Sequence, residues 1–156
     1  MSQLTPRAAL STPHDPHRVG HEWLVMLAEV PLFKGLPKRH LRRIAKLAQI
    51  RRFAPGSTLI RAGEPGRAFY VLLDGNARVV RPSGRARRLG VGDYFGEMAL
   101  LDGAARSADV IAEGEVLTLT IGSSGFAKLV RAEPALAQAL LRALAGRLRA
   151  AERTDT

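Results

Sequence analysis

Residues 95–110 read Phe95-Gly96-Glu97-Met98-Ala99-Leu100-Leu101-Asp102-Gly103-Ala104-Ala105-Arg106-Ser107-Ala108-Asp109-Val110. A glycine turn comes first, a short apolar run that predicts a helix follows, and a loop of small residues leads through an arginine into a predicted strand. Glycine allows a positive φ and close approach of the backbone to a ligand, and the N–H groups in the first turn of a helix have no partner within the helix. The stretch therefore favours a site for a small anion.

Two charged residues of this stretch carry the candidate chemistry. The planar guanidinium of Arg106, nine residues after Glu97, can pair with phosphate oxygens. An ionised Glu97 only accepts hydrogen bonds, so it needs a donor such as a sugar hydroxyl. The same two residues can also be a surface ion pair that closes a loop and contributes about 1 kcal/mol at most. The spacing alone leaves both interpretations open.

The composition predicts a single cytoplasmic domain. A chain of 156 residues can bury roughly 68 to 70% of its unfolded surface in a single core. It has no cysteine, which excludes disulfides and thiolate metal sites and is compatible with a reducing cytoplasm. We find no signal-peptide pattern and no run of about eighteen apolar residues, so neither secretion nor a membrane span is indicated.

The net charge of +10 raises the alternative of a nucleic acid or an anionic surface as partner. The basic residues cluster between positions 38 and 52, on and just after a predicted helix. A charge run on a helix is usually a solvated face, and aromatic residues are only 5% of the chain, so platforms for base stacking are scarce. Nucleic-acid binding therefore stays the less favoured alternative.

The chain order predicts three parts. Residues 1–20 form a flexible arm, in which His14, Asp15 and His17 could be metal ligands but are better explained as a solvated tail; we expect no metal site. Residues 21–153 form the domain. Helices are predicted over 21–48 and, with a leucine stripe, over 124–153.

Between residues 50 and 121, glycines recur at short intervals and separate β-prone segments. Short strands at this spacing are typical of a sandwich or barrel. Phe69 to Leu73 is apolar throughout and predicts a strand buried on both faces. The predicted strands are Ser57 to Arg61, Ala68 to Leu73, Ala77 to Arg81, Arg85 to Leu89, Ser107 to Ala112 and Glu115 to Ile121.

The pattern F-G-E-x-A-L-L-x-x-x-x-R-S-A-x-V over residues 95–110 resembles the phosphate-binding cassette of the cyclic nucleotide-binding domain family. The resemblance continues in F-x-P-G-x-x-L-I-x-x-G-E over residues 53–64 and in F-Y-V-L-x-x-G-x-A-x-V over residues 69–79. It covers roughly residues 21–149. It implies a mainly β fold, a jelly-roll-like β-roll with N-terminal helices and a C-terminal lid helix.

The family's functional residues carry over to matching positions. Glu97 is expected to accept the ribose 2′-hydroxyl, and Arg106 to pair with the cyclic phosphate. Val79 and Leu89 are expected to form apolar contacts with the base, although both can equally be core residues. Arg147 matches a lid arginine that can stack on the purine, or is one of several solvated arginines on its helix. The remaining predicted members of the phosphate cradle are Gly96, Met98, Ala99, Ser107 and Ala108.

The resemblance implies a stand-alone receptor that binds cyclic AMP and repositions its C-terminal helix, with cyclic GMP as the other candidate because Ser107 offers a hydroxyl. No cofactor is expected. No set of nucleophile, base and oxyanion donors can be assembled, so an enzyme is not expected. The effector would be an unknown downstream protein, and the leucine stripe could form a homodimer. Only a few residues follow Arg153, so we do not expect a DNA-binding helix-turn-helix.

Two positions depart from the family pattern. Ala105 stands where proline is usual, and Asp109 stands where Thr, Ser or an aromatic residue is usual. An acid that faced inward at Asp109 would repel a phosphate. The departures motivate a second alternative, an interaction module that keeps the fold and binds no nucleotide.

Overall fold

The computed structural model describes residues 21–154, so the predicted arm with His14, Asp15 and His17 lies outside the described residues. Two helices precede the strands, one short helix lies among them and two helices follow them. In order, the elements are α1 (His21–Glu29), a 3-10 turn (Pro31–Phe33), α2 (Lys38–Leu47), β1 (Ala48–Phe53), β2 (Thr58–Ile60), β3 (Ala68–Val80), β4 (Ala86–Leu89), β5 (Tyr94–Phe95), α3 (Glu97–Asp102), β6 (Asp109–Gly122), α4 (Ser123–Ala132) and α5 (Pro134–Thr154).

The strands of this range form one antiparallel sheet in the order β1-β6-β3-β4, with β2 beside β6 and β5 beside β3. Strand β6 pairs with β1 over Val116–Ile121 and with β2 near Ile111. Within the described residues β1 and β4 do not pair with each other, so the sheet is not closed. The predicted mainly β fold with flanking helices is confirmed.

Strands β3 and β6 are longer than predicted. We predicted two strands in each, with a break near Gly75 and near Gly114, and both breaks are wrong. The register between β3 and β6 shifts on either side of Asp74, while Gly75 and Gly114 have φ of +86° and +81°. A Cβ on Gly75 would lie 2.3 Å from the Glu115 carbonyl oxygen. Glycine therefore accommodates an irregularity in a continuous strand instead of ending it.

The two faces of β3 support two separate hydrophobic cores, as side chains alternate along a strand. Phe69, Val71 and Leu73 pack with the helices, and Tyr70 and Leu72 point into the roll. The prediction that this strand is buried on both faces is confirmed. The first core fixes α4 and α5 against the sheet through residues such as Phe126, Leu129, Leu136 and Leu140.

A buried carboxylate joins the N-terminal and C-terminal helices. Glu133, between α4 and α5, is fully buried, and its Oε1 accepts a 2.7 Å hydrogen bond from Arg43 Nη1. Its Oε2 lies 2.5 Å from His40 Nδ1. Both partners are on α2, so this cluster ties the junction of the last two helices to the start of the domain. Within residues 21–154 no helix combines the length and hydrophobicity needed to span a bilayer.

Candidate functional site

The glycine turn and short helix predicted from residues 95–103 are confirmed. Gly96 follows β5 with φ +92° and is the N-cap of α3, and α3 ends at Gly103 with φ +72°. The Gly103 N–H donates to the Ala99 carbonyl at 3.1 Å. Both ends of α3 thus rely on the left-handed conformation that glycine adopts without strain.

Arg106 lies directly behind this turn. Its Nη1 donates to the Gly96 carbonyl oxygen at 2.6 Å, and its Nη2 donates to the Ala68 carbonyl oxygen at 2.8 Å. The backbone is held as well, because Arg106 N–H donates to Glu64 O at 2.8 Å and Gly63 N–H donates to Arg106 O at 2.9 Å. The arginine is therefore positioned through both its side chain and its backbone.

The guanidinium of Arg106 is a buried cation. Only 8% of the residue is exposed, and this burial lowers the pKa of Arg106 from its ordinary value, although neighbouring Tyr70 and Glu97 oppose the shift. A guanidinium nevertheless stays charged in proteins. Among the described residues, Arg106 forms no ion pair with a carboxylate, and its side chain donates to the backbone carbonyls of Gly96 and Ala68. A buried guanidinium that is not directly paired with a carboxylate is costly, so an anion bound against it would be stabilising.

A cavity of about 170 Å³ opens beside Arg106. Arg61 and Arg67 also line it and add positive charge, while Glu64 contributes the opposite charge. Tyr70, another lining residue, stacks on Phe95 with ring centroids 5.0 Å apart. The cavity is polar and has net positive surroundings, which suits a small anion.

Close backbone approach explains two glycines of the site. A Cβ on Gly96 would lie 2.8 Å from the Ala68 carbonyl oxygen and 3.1 Å from Arg106 Nη1. A Cβ on Gly66 would lie 2.8 Å from the Cβ of Ala99 on α3. The contacts with Ala68 and Ala99 could not be read from the sequence, because each joins distant segments in a register that only the fold defines.

Glu97 is 2% exposed, and it is paired across the structure with α5. Its Oε2 accepts a 2.7 Å hydrogen bond from Arg147 Nη1. The Arg147 guanidinium also lies 4.7 Å from the centre of the Tyr94 ring, and its Nη2 approaches the Tyr94 carbonyl oxygen at 3.4 Å. The structure thus brings Glu97 and Arg147 together. Sequence reasoning missed Tyr94, whose only signal was its position two residues before Gly96.

The other predicted site residues divide by exposure. Ala99 and Ala108 are buried, whereas Ser107 is exposed and Met98 is 54% exposed. Leu89 is fully buried and Val79 partly buried in the core inside the roll, and neither lines the cavity beside Arg106. Their predicted role as walls for a base stays a prediction.

Asp109 has a structural partner. Its Oδ1 accepts a 2.7 Å hydrogen bond from the Ala62 N–H, so this carboxylate holds the turn that contacts the Arg106 backbone. The observation weakens the argument that Asp109 would repel a phosphate. Within the described part of the chain, no group of three or more metal-ligating side chains occurs.

An antiparallel roll with a buried arginine behind a glycine-capped helix is an arrangement that suits a small anionic ligand. The model of the cyclic nucleotide-binding domain matches residues 50–133, which is more than half of the chain. The chain belongs to this family, and the resemblance seen in residues 95–110 is confirmed.

Relatives in three kinds of protein share this domain. The chain is 36% identical over 104 residues to a cAMP-dependent protein kinase regulatory subunit of Hypocrea atroviridis, covering 67% of this chain and 22% of the relative. It is 35% identical over 113 residues to a cyclic nucleotide-gated potassium channel of Mesorhizobium japonicum, covering 72% and 31%. The crystal structure of the Thermus thermophilus catabolite activator protein matches with a TM-score of 0.73 and 33% identity, covering 80% and 61%. The chain thus spans between a fifth and a third of the two curated relatives.

Proposed function

We propose that this chain is a stand-alone receptor for cyclic AMP that regulates another protein. One observation carries the proposal: the buried Arg106 guanidinium lines a cavity and has no carboxylate partner among the described residues. A cyclic phosphate is a monoanion that would supply the missing counter-charge. Membership of the family, and the cyclic nucleotide in the names of two of the relatives above, support a nucleotide as the carrier of that phosphate.

In this proposal the phosphate binds between Arg106 and the glycine turn. The guanidinium has five N–H donors, of which two serve Gly96 and Ala68, so donors remain for phosphate oxygens. The N–H groups at the start of α3 and around Ser107 would complete the cradle. Met98 would contribute only its backbone, because its side chain is more than half exposed.

The ribose and the base would extend from the phosphate towards α5. Glu97 is the proposed acceptor for the 2′-hydroxyl, Val79 and Leu89 the proposed base walls, and Arg147 the proposed lid residue. Ligand would then bias α5 between two positions, which is a population shift driven by unequal affinity for them.

We propose cyclic AMP and not cyclic GMP as the ligand, because the kinase relative is named as cAMP-dependent. The exposed hydroxyl of Ser107 is the feature that would favour cyclic GMP, since it could bond the guanine amino group.

We infer a regulatory role without catalysis, in the cytoplasm, with a downstream protein as effector. The kinase relative is named as a regulatory subunit, and the chain has no cysteine. A homodimer through α5 is also proposed, because Leu141 and Leu148 lie seven residues apart on one helix face and are 66% and 63% exposed.

Isothermal calorimetry with nucleotide-free protein tests the ligand. We expect saturable binding of cyclic AMP, weaker binding of cyclic GMP and little binding of 5′-AMP, whose open dianionic phosphate has a different shape. If neither cyclic nucleotide binds, the interaction-module alternative replaces this proposal. Binding of oligonucleotides that falls steeply with salt would instead support the nucleic-acid alternative.

A further inference from the structure

Arg147 makes three contacts that hold the C-terminal half of α5 over the cassette. Its Nη1 pairs with Glu97 Oε2 at 2.7 Å, its guanidinium lies 4.7 Å from the Tyr94 ring centre, and its Nη2 is 3.4 Å from the Tyr94 carbonyl oxygen. The Glu97 side chain is 3% exposed and the Arg147 side chain 34%. The pair is thus partly buried, with the carboxylate almost wholly covered and the guanidinium reachable from solvent.

Arg106 and Glu97, the two charged residues proposed to bind the nucleotide, therefore differ in their access to the cavity. Arg106 lines the cavity, whereas Glu97 and Arg147 do not. The cavity of about 170 Å³ is also smaller than the roughly 300 Å³ at which ligand pockets typically begin. The residue proposed to bind the phosphate is therefore reachable from the cavity, whereas the carboxylate proposed to bind the ribose is covered and paired with Arg147.

We propose that Arg147 and the ribose 2′-hydroxyl compete for Glu97, so that a ligand must take this carboxylate from α5 in order to bind fully. The inference rests on the proposed function, because it assumes a cyclic nucleotide at Arg106. It makes Arg147 a residue that sets affinity and selectivity for the 2′-hydroxyl. The first step of the response is then the release of Arg147 from Glu97, which frees its guanidinium for the lid position proposed above.

The physical reason is that Glu97 is nearly inaccessible. A buried carboxylate is stable only with a donor, and Arg147 is the charged donor that this structure supplies. A hydroxyl that displaces Arg147 replaces an ion pair by a hydrogen bond in which only the acceptor is charged, so part of the ligand's binding free energy is spent on the exchange. Only molecules in which Glu97 is available can bind fully. The apparent Kd is therefore the intrinsic Kd divided by the fraction of such molecules, and it rises as that fraction falls.

The test compares Arg147→Gln with Arg149→Gln, an exposed arginine two residues further along α5. Each variant and the wild type are titrated by calorimetry with cyclic AMP and with 2′-deoxy-cyclic AMP. We expect Arg147→Gln to bind cyclic AMP on the order of tenfold more tightly than wild type, a gain that is smaller for the deoxy analogue, while Arg149→Gln stays unchanged.

Other results would overturn the inference. Weaker binding of cyclic AMP by Arg147→Gln would mean that Arg147 assists the ligand, for example by stacking on the purine. An equal gain for both ligands would mean that Arg147 blocks access to the site sterically and does not compete for Glu97. Unchanged affinity for both would mean that the pair has no role in binding.

A second measurement needs no ligand. Hydrogen exchange of the α5 amides after residue 143 should be faster in Arg147→Gln than in wild type and unchanged in Arg149→Gln, if the Glu97 pair holds this segment. Equal exchange in all three proteins would contradict the inference.

The calorimetric outcomes distinguish the two proposals. If wild type binds no cyclic nucleotide, the proposed function fails and the competition fails with it. If wild type binds but Arg147→Gln gains nothing, only the competition fails.

Discussion

Arg106 and Gly96 are ten residues apart in the chain and are joined by a 2.6 Å hydrogen bond from Nη1 to the carbonyl oxygen. The same guanidinium reaches Ala68 O, so one side chain ties the start of α3 to β3. Gly96 has φ +92°, so this carbonyl oxygen belongs to a residue in the conformation that favours glycine. The arginine that we propose as the phosphate ligand is thus also the residue that fixes the turn around the ligand.

Gly96→Ala should destabilise the protein and weaken the site. The new Cβ would meet Ala68 O at 2.8 Å in a backbone region that costs an L-residue about 1 to 2 kcal/mol by itself. We expect the free energy of unfolding in urea to fall by about 2 to 3 kcal/mol, together with a loss of cyclic AMP affinity. Gly103→Ala is the matched control, since Gly103 has φ +72° but nothing within 4 Å of its Cβ position. Equal losses in the two variants would show that the contact with Ala68 contributes nothing.

Tyr94→Phe should stabilise the protein at neutral pH. Within the described residues, the buried Tyr94 hydroxyl has no hydrogen-bond partner, while its ring lies under Arg147 and near Phe69. Phenylalanine keeps those ring contacts and removes the unsatisfied hydroxyl, so we expect a gain of about 1 kcal/mol in the free energy of unfolding. A loss of stability in urea unfolding would show that the hydroxyl is bonded in solution.

The same residue predicts a dependence on alkaline pH. Burial raises the pKa of the Tyr94 phenol above its ordinary value of 10.0; Arg147 opposes this shift and Glu97 adds to it. Between the two pKa values the unfolded chain loses a proton that the folded chain keeps, so the unfolded state gains stability. The contribution of Tyr94 is fully present below pH 10 and is lost as pH rises through the raised pKa. The stability difference between Tyr94→Phe and wild type should therefore be constant from about pH 8 to about pH 9 and grow from about pH 10 to about pH 11. A difference that stays constant over the whole range would contradict this.

The sequence predicted the local parts of the site better than its long-range contacts. Glycine and the short apolar run were sufficient for α3, because both ends of that helix depend on nearby residues. The Ala68 carbonyl that holds Arg106 could not be predicted, since any backbone carbonyl can accept and only the fold selects one.

The strand breaks at Gly75 and Gly114 were wrong for a related reason. Glycine marks both turns and bulges, and only the pairing of β3 with β6 decides between them. The pairing of Glu97 with Arg147 spans 50 residues. The family resemblance singled out Arg147 among the arginines of α5, but no spacing in the sequence predicted that its partner is Glu97.

Glu133→Gln should destabilise the junction of α4 and α5. The carboxylate is fully buried, accepts a hydrogen bond from Arg43 and lies beside His40, so neutralising it leaves the Arg43 guanidinium with a weaker acceptor. Breaking buried pairs costs about 3 to 5 kcal/mol, but Arg43 is 54% exposed, so we expect about 2 kcal/mol. Urea unfolding measures the change, with exposed Glu152→Gln as the control. If both variants are as stable as wild type, the cluster does not hold the helices together.

Calorimetric titration of cyclic AMP into wild type, Arg106→Ala and Met98→Ala is the most direct measurement, after urea unfolding has shown that each variant is folded. Loss of a charge-assisted hydrogen bond costs about 1.5 to 3 kcal/mol, so Arg106→Ala should bind about 10- to 100-fold more weakly than wild type. Met98→Ala should bind within about threefold of wild type, because its side chain is 54% exposed and contributes no polar group to the cradle. If Arg106→Ala binds cyclic AMP as tightly as wild type, Arg106 is not the phosphate ligand and the account is wrong at its centre.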